Sequence, residues 1–347
     1  MACRLAGCRL AGFRLAGFGI AALIALIALV HGASAQTPSK VVIGYLDLVS
    51  AQLVTKALGL HEKEMGLPVE WVAFGSGGDL NRGVAAGQLN FGGVGNPPAT
   101  LGVSRGLPYK GIFVIDMLGP VESLVVRADK HIDKPQDLVG KTMAAPFGST
   151  THYMTIAYLR SAGVDPTSVK LLDMAPNDAV AAWLRGDIDA AYVWEPALNK
   201  MVTNGGKILM DSGSMAKAGY PTWDIGVVMD DFVTQHPDLV TKFVKSECAA
   251  IDYWLTKPEQ TAAIIAKELK LPLDDTRRMM AGTTMVSCRD QIGADYLGTS
   301  NHKGKFVDTL VATATFLTDQ KRLPKVEPRE SYEKFIEPKF LETAVGQ

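Results

Sequence analysis

The sequence is short of the features that announce most chemistries. Its 347 residues hold four cysteines, six histidines and only 7 % aromatics. Lysine plus arginine (35) nearly balances aspartate plus glutamate (36), for a formal net charge of −1. That balance argues against a nucleic-acid binder, which would carry a basic face. No two histidines stand at i, i+4, and the later cysteines form no ligand-spaced group, so no metal site is expected. A Gly-x-Ser-x-Gly elbow and a Walker loop are both missing. Gly75-Ser76-Gly77-Gly78 lacks the spacing of a Walker loop and of a dinucleotide-binding fingerprint, and reads as a tight strand-to-helix turn. No cofactor and no enzyme activity are expected from this inventory. His152 is the one histidine near a candidate pocket, and a structural imidazole is the simpler reading. Beyond residue 35 there is no sustained apolar run.

What is present begins with an export grammar. Arg4, Arg9 and Arg14 precede the apolar run Phe18–Val30, which ends in Ala33-Ser34-Ala35. Basic, then apolar, then small is the order of a secretory signal. Residues 1–35 are therefore expected to be a signal peptide, with an uncleaved anchor as the alternative. Leu5-Ala6-Gly7-Cys8 resembles a lipoprotein box but precedes the apolar run. It belongs to an Arg-Leu-Ala-Gly repeat and is read as coincidence. Without this segment the balance is 32 basic against 36 acidic residues, and two cysteines remain, Cys248 and Cys288. An oxidising compartment allows them to pair. Two separate buried thiols would also fit.

The remaining chain repeats its own grammar. Val41–Tyr45 reads as a strand, followed by a helix that stops at Gly66. Then come an extended Val69–Phe74, the glycine turn, a helix from Asp79 to Gly87 and a strand over Gln88–Val94. The order recurs about one hundred residues later. Strand Lys141–Pro146, helix 150–161, strand Val169–Met174, a helix from Asn177 to Gly186 and strand Asp187–Val193 follow one another. Alternation of this kind predicts an α/β fold with mostly parallel sheets covered by helices on both faces. Two copies predict two lobes, with a ligand between them beyond the carboxyl ends of the strands. One continuous doubly wound sheet also satisfies the alternation. Helices are expected over Asp238–Leu255, Pro258–Lys270 and Val307–Leu317. The proline-spaced tail Leu323–Phe340 is expected to wrap the surface.

The segment Pro146-Phe147-Gly148-Ser149-Thr150-Thr151-His152-Tyr153 ends one strand and opens a helix. Unpartnered N–H groups at a helix start carry partial positive charge. With the hydroxyls of Ser149, Thr150 and Thr151 they suit a sulfonate, carboxylate or phosphate. A plain N-cap by Ser149 or Thr150 is the competing reading. Glu122, Asp224 and Glu195 stand at other strand ends, either as solvated acids or facing that anion site. Carboxylates beside an anion site suit a small zwitterion, and Trp194 would cover its cation or methylenes.

At these residues the sequence resembles the periplasmic taurine-binding proteins of bacterial ABC importers. The stretches that carry the likeness are Glu122-Ser123-Leu124-Val125-Val126, Pro146–Tyr153 and Ala181-Ala182-Trp183-Leu184-Arg185-Gly186-Asp187-Ile188-Asp189. Ala191-Tyr192-Val193-Trp194 and Pro221-Thr222-Trp223-Asp224 continue it. The resemblance implies a two-lobed type II periplasmic binding protein fold. It places the first lobe at 36–125 and 225–347, the second at 126–224, and hinge segments near 122–128 and 221–228. By that likeness Ser149, Thr150 and Thr151 hold the sulfonate, Glu122 and Asp224 hold the ammonium, and Trp194 lines the site. Taurine binders carry paired serines before a proline where this chain has Gly95-Asn96-Pro97-Pro98, which makes Asn96 a candidate amide donor. Glu195 follows Tyr-Val-Trp where a small residue is usual, and an extra carboxylate there favours a more cationic ligand. The implied partners are a small zwitterionic or sulfonate ligand and the importer's permease with its ATPase, the protein acting as a periplasmic monomer. A carboxylate zwitterion (an amino acid or betaine) is the alternative ligand. An enzyme like the thiamine-pyrimidine synthases and a sensor subunit are alternative roles.

Overall fold

The computed structural model describes residues 37–346; the expected signal peptide at 1–35 lies outside them. The first lobe opens with β1 (Val41–Leu46), α1 (Gln52–Leu58), α2 (Leu60–Met65), β2 (Val69–Phe74), α3 (Gly77–Ala85), β3 (Phe91–Gly95), α4 (Asn96–Ser104) and β4 (Tyr109–Leu118). The second lobe holds β5 (Glu122–Arg127), β6 (Thr142–Ala145), α5 (Thr150–Ser161), β7 (Lys170–Asp173), α6 (Pro176–Arg185), β8 (Ala190–Trp194), α7 (Ala197–Val202), β9 (Gly206–Asp211) and α8 (Ser212–Lys217). The chain then returns as β10 (Trp223–Met229), α9 (Asp230–Gln235), α10 (Pro237–Thr256), α11 (Pro258–Leu269) and α12 (Leu273–Ala281). It ends with β11 (Thr283–Thr284), α13 (Cys288–Gln291), α14 (Phe306–Asp319), α15 (Arg329–Phe335) and α16 (Lys339–Val345). None of these helices is long and apolar enough to cross a membrane.

Two separate sheets result, so the single continuous sheet is excluded. Their strand orders are β11-β4-β10-β3-β1-β2 and β7-β6-β8-β5-β9. The repeat is visible in the register: β2-β1-β3 and β7-β6-β8 are matching parallel triplets. In each sheet the next strand is the one that has just crossed from the other lobe. It runs antiparallel to its neighbours: β10 against β3 and β4, and β5 against β8 and β9. The sheets are therefore mixed, with a parallel half and an antiparallel half. Every residue of β5 pairs in the second sheet, and Trp223 and Asp224 already pair in the first. The crossings consequently fall at 119–121 and 218–222, a few residues before the expected boundaries at 125/126 and 224/225.

The first core forms where α10 lays Leu239, Phe243, Val244, Ile251 and Trp254 against the sheet. Phe243 stacks on Phe91 of β3 at 3.8 Å. A smaller core of Trp183, Ile188, Val193 and Leu198 supports one face of the second sheet. Cys248 of α10 and Cys288 of α13 are disulfide-bonded, their Cα atoms 5.7 Å apart. The tail corrects its expectation. Instead of wrapping the surface it forms α15 and α16 and buries Tyr332, Phe335, Ile336, Phe340 and Leu341. Aromatic and branched residues between its prolines supply that apolar face, and burying it outweighs the polar character that proline spacing suggests.

Candidate functional site

The ends of the crossing strands assemble one cavity between the lobes. From the first lobe come Asp116 on β4, Asp224 on β10, Gly95 at the end of β3, and Gly77 and Pro98 at the starts of α3 and α4. From the second come Glu122 on β5, Trp194 on β8, and Ser149 and Thr150 at the start of α5. The cavity holds about 480 Å³ of space, open mouth included. Register explains the grouping. Asp224 lies directly opposite Asp116 on one side and Gly95 on the other. Glu122 lies opposite Trp194.

The site's electrostatics are lopsided. Asp116, Glu122 and Asp224 converge, yet no Lys or Arg lines the cavity. Asp116 is buried, and its Oδ1 has no hydrogen-bond partner. Burial is the main cause that lifts all three carboxyls. Asp116 is raised well above its ordinary range, with Asp224 and Glu122 adding to the shift. Glu122 is pushed up to about 8, its Thr150 and Ser212 hydrogen bonds acting against the rise and Asp224 adding to it. Asp224 is pushed up to about 7. Like charges placed directly opposite across strands are destabilising, and no basic side chain among the lining residues offsets these.

The α5 start supplies the other half. Ser149 caps the helix, its Oγ accepting from the His152 N–H at 3.2 Å. The same hydroxyl contacts Pro146 O at 2.5 Å and Thr151 Oγ1 at 2.8 Å. Thr150 donates its hydroxyl to Glu122, and Ser212 donates to the other Glu122 oxygen at 2.8 Å. The three hydroxyls are thus engaged within the protein. The Thr150 and Thr151 backbone N–H groups have no intrahelical acceptor, and of these two residues Thr150 lines the cavity.

Five expected residues line the cavity: Glu122, Ser149, Thr150, Trp194 and Asp224. Three do not. Asn96 is fully buried and ties the second crossing to the first lobe. Its Oδ1 accepts from Trp223 N at 3.1 Å, and its Nδ2 donates to Pro221 O at 3.3 Å. Thr151 is likewise fully buried, beneath Ser149. Glu195 faces a different hollow with Arg278, and its Oε2 accepts from Asn199 N at 2.8 Å. Neighbouring residues of an extended strand point to opposite faces, so Trp194 at the end of β8 and Glu195 just past it part ways. Burial raises Glu195 to about 7. Sequence reasoning missed Asp116 and Ser212. A lone carboxylate inside the apolar run Gly111–Leu118 was the available signal for Asp116. Ser212 offers no comparable signal.

The NMT1/THI5-like family profile matches residues 50–261. The taurine-binding periplasmic protein of Escherichia coli (strain K12) is 34 % identical over 309 residues, which span 87 % of this chain and 92 % of that protein. The chain belongs to the NMT1/THI5-like family. Solved structures place the same fold. The alkanesulfonate-binding protein SsuA from Xanthomonas axonopodis pv. citri, bound to MOPS, superposes with a TM-score of 0.72 at 20 % identity, covering 85 % of this chain and 98 % of that one. The periplasmic aliphatic sulphonate binding protein SsuA from Escherichia coli gives 0.65 at 20 % identity, covering 85 % and 92 %. The fold also carries chemistry elsewhere: the desulfurization enzyme DSZB superposes at 0.61 with 15 % identity, covering 89 % and 99 %. At such identities the structural likeness speaks for fold alone. The NMT1/THI5-like membership agrees with a two-lobed architecture whose cleft is the candidate site.

Proposed function

We propose that this protein is a periplasmic solute-binding protein for taurine or a closely related amino-alkanesulfonate. The observation that carries the reading is three carboxyls, Asp116 and Glu122 buried and Asp224 partly so, with no Lys or Arg beside them, sharing one small cavity with the first residues of α5. An ammonium satisfies Asp116, Glu122 and Asp224. A sulfonate takes the α5 N–H groups and the hydroxyl that Thr150 releases once Glu122 is bound elsewhere. Desolvating both ends between closing lobes makes these charge-assisted contacts strong. The relatives' names support this ligand class and a periplasmic place; delivery to an ABC importer, with export directed by residues 1–35, completes the reading. No cysteine or histidine lines the cavity, which supports binding over catalysis.

The test is thermal unfolding of residues 36–347, refolded to remove carried-over ligand, against taurine, hypotaurine, an amine-free alkanesulfonate, β-alanine, glycine betaine and sulfate. A ligand at one hundred times its Kd stabilises by about 2.7 kcal/mol, or several degrees. Taurine is expected to shift the transition, with β-alanine and the amine-free sulfonate well behind. A shift with β-alanine or betaine alone overturns the sulfonate; conversion of the ligand during incubation overturns the binding role.

A further inference from the structure

A second cavity lies beside the cleft, sharing Ser149 with it, where α4 and the turn after α14 meet α5 of the other lobe. Phe147 and Leu317 are among its apolar walls, and Arg105, Lys321 and Arg322 rim it. It holds about 820 Å³ of space, open mouth included. None of the three cations has an ion-pair partner among the described residues; other exposed arginines of this chain, such as Arg277 and Arg329, do. The second-lobe wall contributes His152, which is buried and stacks on Phe147 at 4.4 Å. Its Nδ1 accepts the Gly148 N–H at 3.2 Å, so a neutral ring carries its proton on Nε2. That Nε2 has no hydrogen-bond partner. Burial first, and then the Arg322 charge, push the imidazole down to about 4 against the opposing pull of Asp173. The ring is therefore neutral near pH 7, and its N–H is a buried donor with no acceptor.

We infer that this cavity is a second ligand site, taking an organic anion with an apolar body. The anionic group lies between the His152 Nε2–H and the three cations, and the body lies against Phe147 and Leu317. Arg105 ends α4 on the first lobe, whereas His152 belongs to α5 on the second. An occupant therefore touches both lobes and favours the arrangement in which they meet. The inference does not depend on what fills the cleft.

Hexanesulfonate, which has an apolar chain and no amine, is the probe. It is titrated into the full mature chain while the His152 side-chain nitrogen signals are followed by NMR, with hexylamine in parallel. The signal is expected to shift saturably with hexanesulfonate and not with hexylamine. High ionic strength should weaken the binding, because the cations are exposed. Arg105→Gln with Arg322→Gln, at exposed positions that leave the core untouched, should weaken it by about tenfold or more. An unmoved His152 signal overturns the site. So does a shift of equal strength in the Arg105→Gln/Arg322→Gln protein, or one produced equally by hexylamine.

Discussion

Asp116 and Asp224 face each other across adjacent antiparallel strands with no cation between them, and Glu122 closes the group from the other lobe. Amide replacements separate charge recognition from shape. Asp224→Asn and Glu122→Gln should each weaken an amine-bearing ligand by about 1.5–3 kcal/mol, the range for hydrogen bonds to charged groups. An amine-free alkanesulfonate should bind them and the parent protein alike. Isothermal titration with the matched pair reads this directly, and equal losses for both ligands would reject an ammonium subsite. The strand-end acids Glu122 and Asp224 were legible in the sequence because each borders an apolar run. Asp116 was hidden, since its strand gave no alternation to mark which side it faces. Asn96 and Glu195 were legible as polar residues near the right loops. Their direction was not, because it depends on the second crossing and on the face to which a strand end turns.

Among the elements, the loops that carry glycine set how closely the lobes approach. A Cβ on Gly95 would stand 2.3 Å from the Thr150 methyl, and one on Gly78 would stand 2.8 Å from Phe147 O. Gly95 has ordinary extended backbone, φ −70°, and a Cβ there would also stand 3.1 Å from Asp224 Oδ1 of its own lobe, so alanine is strained most when the lobes meet. Gly95→Ala should weaken every cleft ligand, with or without an amine, by about 1–3 kcal/mol, the usual cost of overpacking. The ligand-free melting temperature should stay within the spread of ordinary surface variants. Adding Thr150→Ser, which removes the methyl, should restore affinity; failure to do so would reject this contact as the limit on closure. Repeating strands and helices gave the lobes away in the sequence, and periodicity found α10, α11 and α14. Where the chain crosses between lobes was not legible to the residue, since β5 and β10 read as strands whichever sheet receives them. The Cys248–Cys288 bond spans 40 residues between α10 and α13. By the chain-entropy estimate it contributes about 4 kcal/mol. Reduction should lower the melting temperature markedly while leaving taurine affinity at lower temperature unchanged, because neither helix lines the cleft.

For the whole molecule, folding, proton binding and ligand binding are one coupled equilibrium. Burial raises Glu122 to about 8 and Asp224 to about 7, and holds Asp116 above its ordinary range as well. The folded protein therefore keeps protons that the unfolded chain has already lost. Between the ordinary carboxylate range and about pH 8, stability falls as pH rises. This contribution is full below the ordinary range and is gone once the raised values are passed. An ammonium reverses the balance, because it binds the charged carboxylates and expels their protons. Taurine affinity should accordingly strengthen from pH 6 to pH 8, by up to about tenfold per pH unit for each proton released. Calorimetry in buffers of different ionisation enthalpy would report that release, and melting curves would show taurine's stabilisation growing as the ligand-free protein weakens. The Asp224→Asn/Glu122→Gln double variant should flatten both trends. Proton uptake on taurine binding, or an affinity constant across this window, would mean that the carboxylates do not hold the ligand's cation.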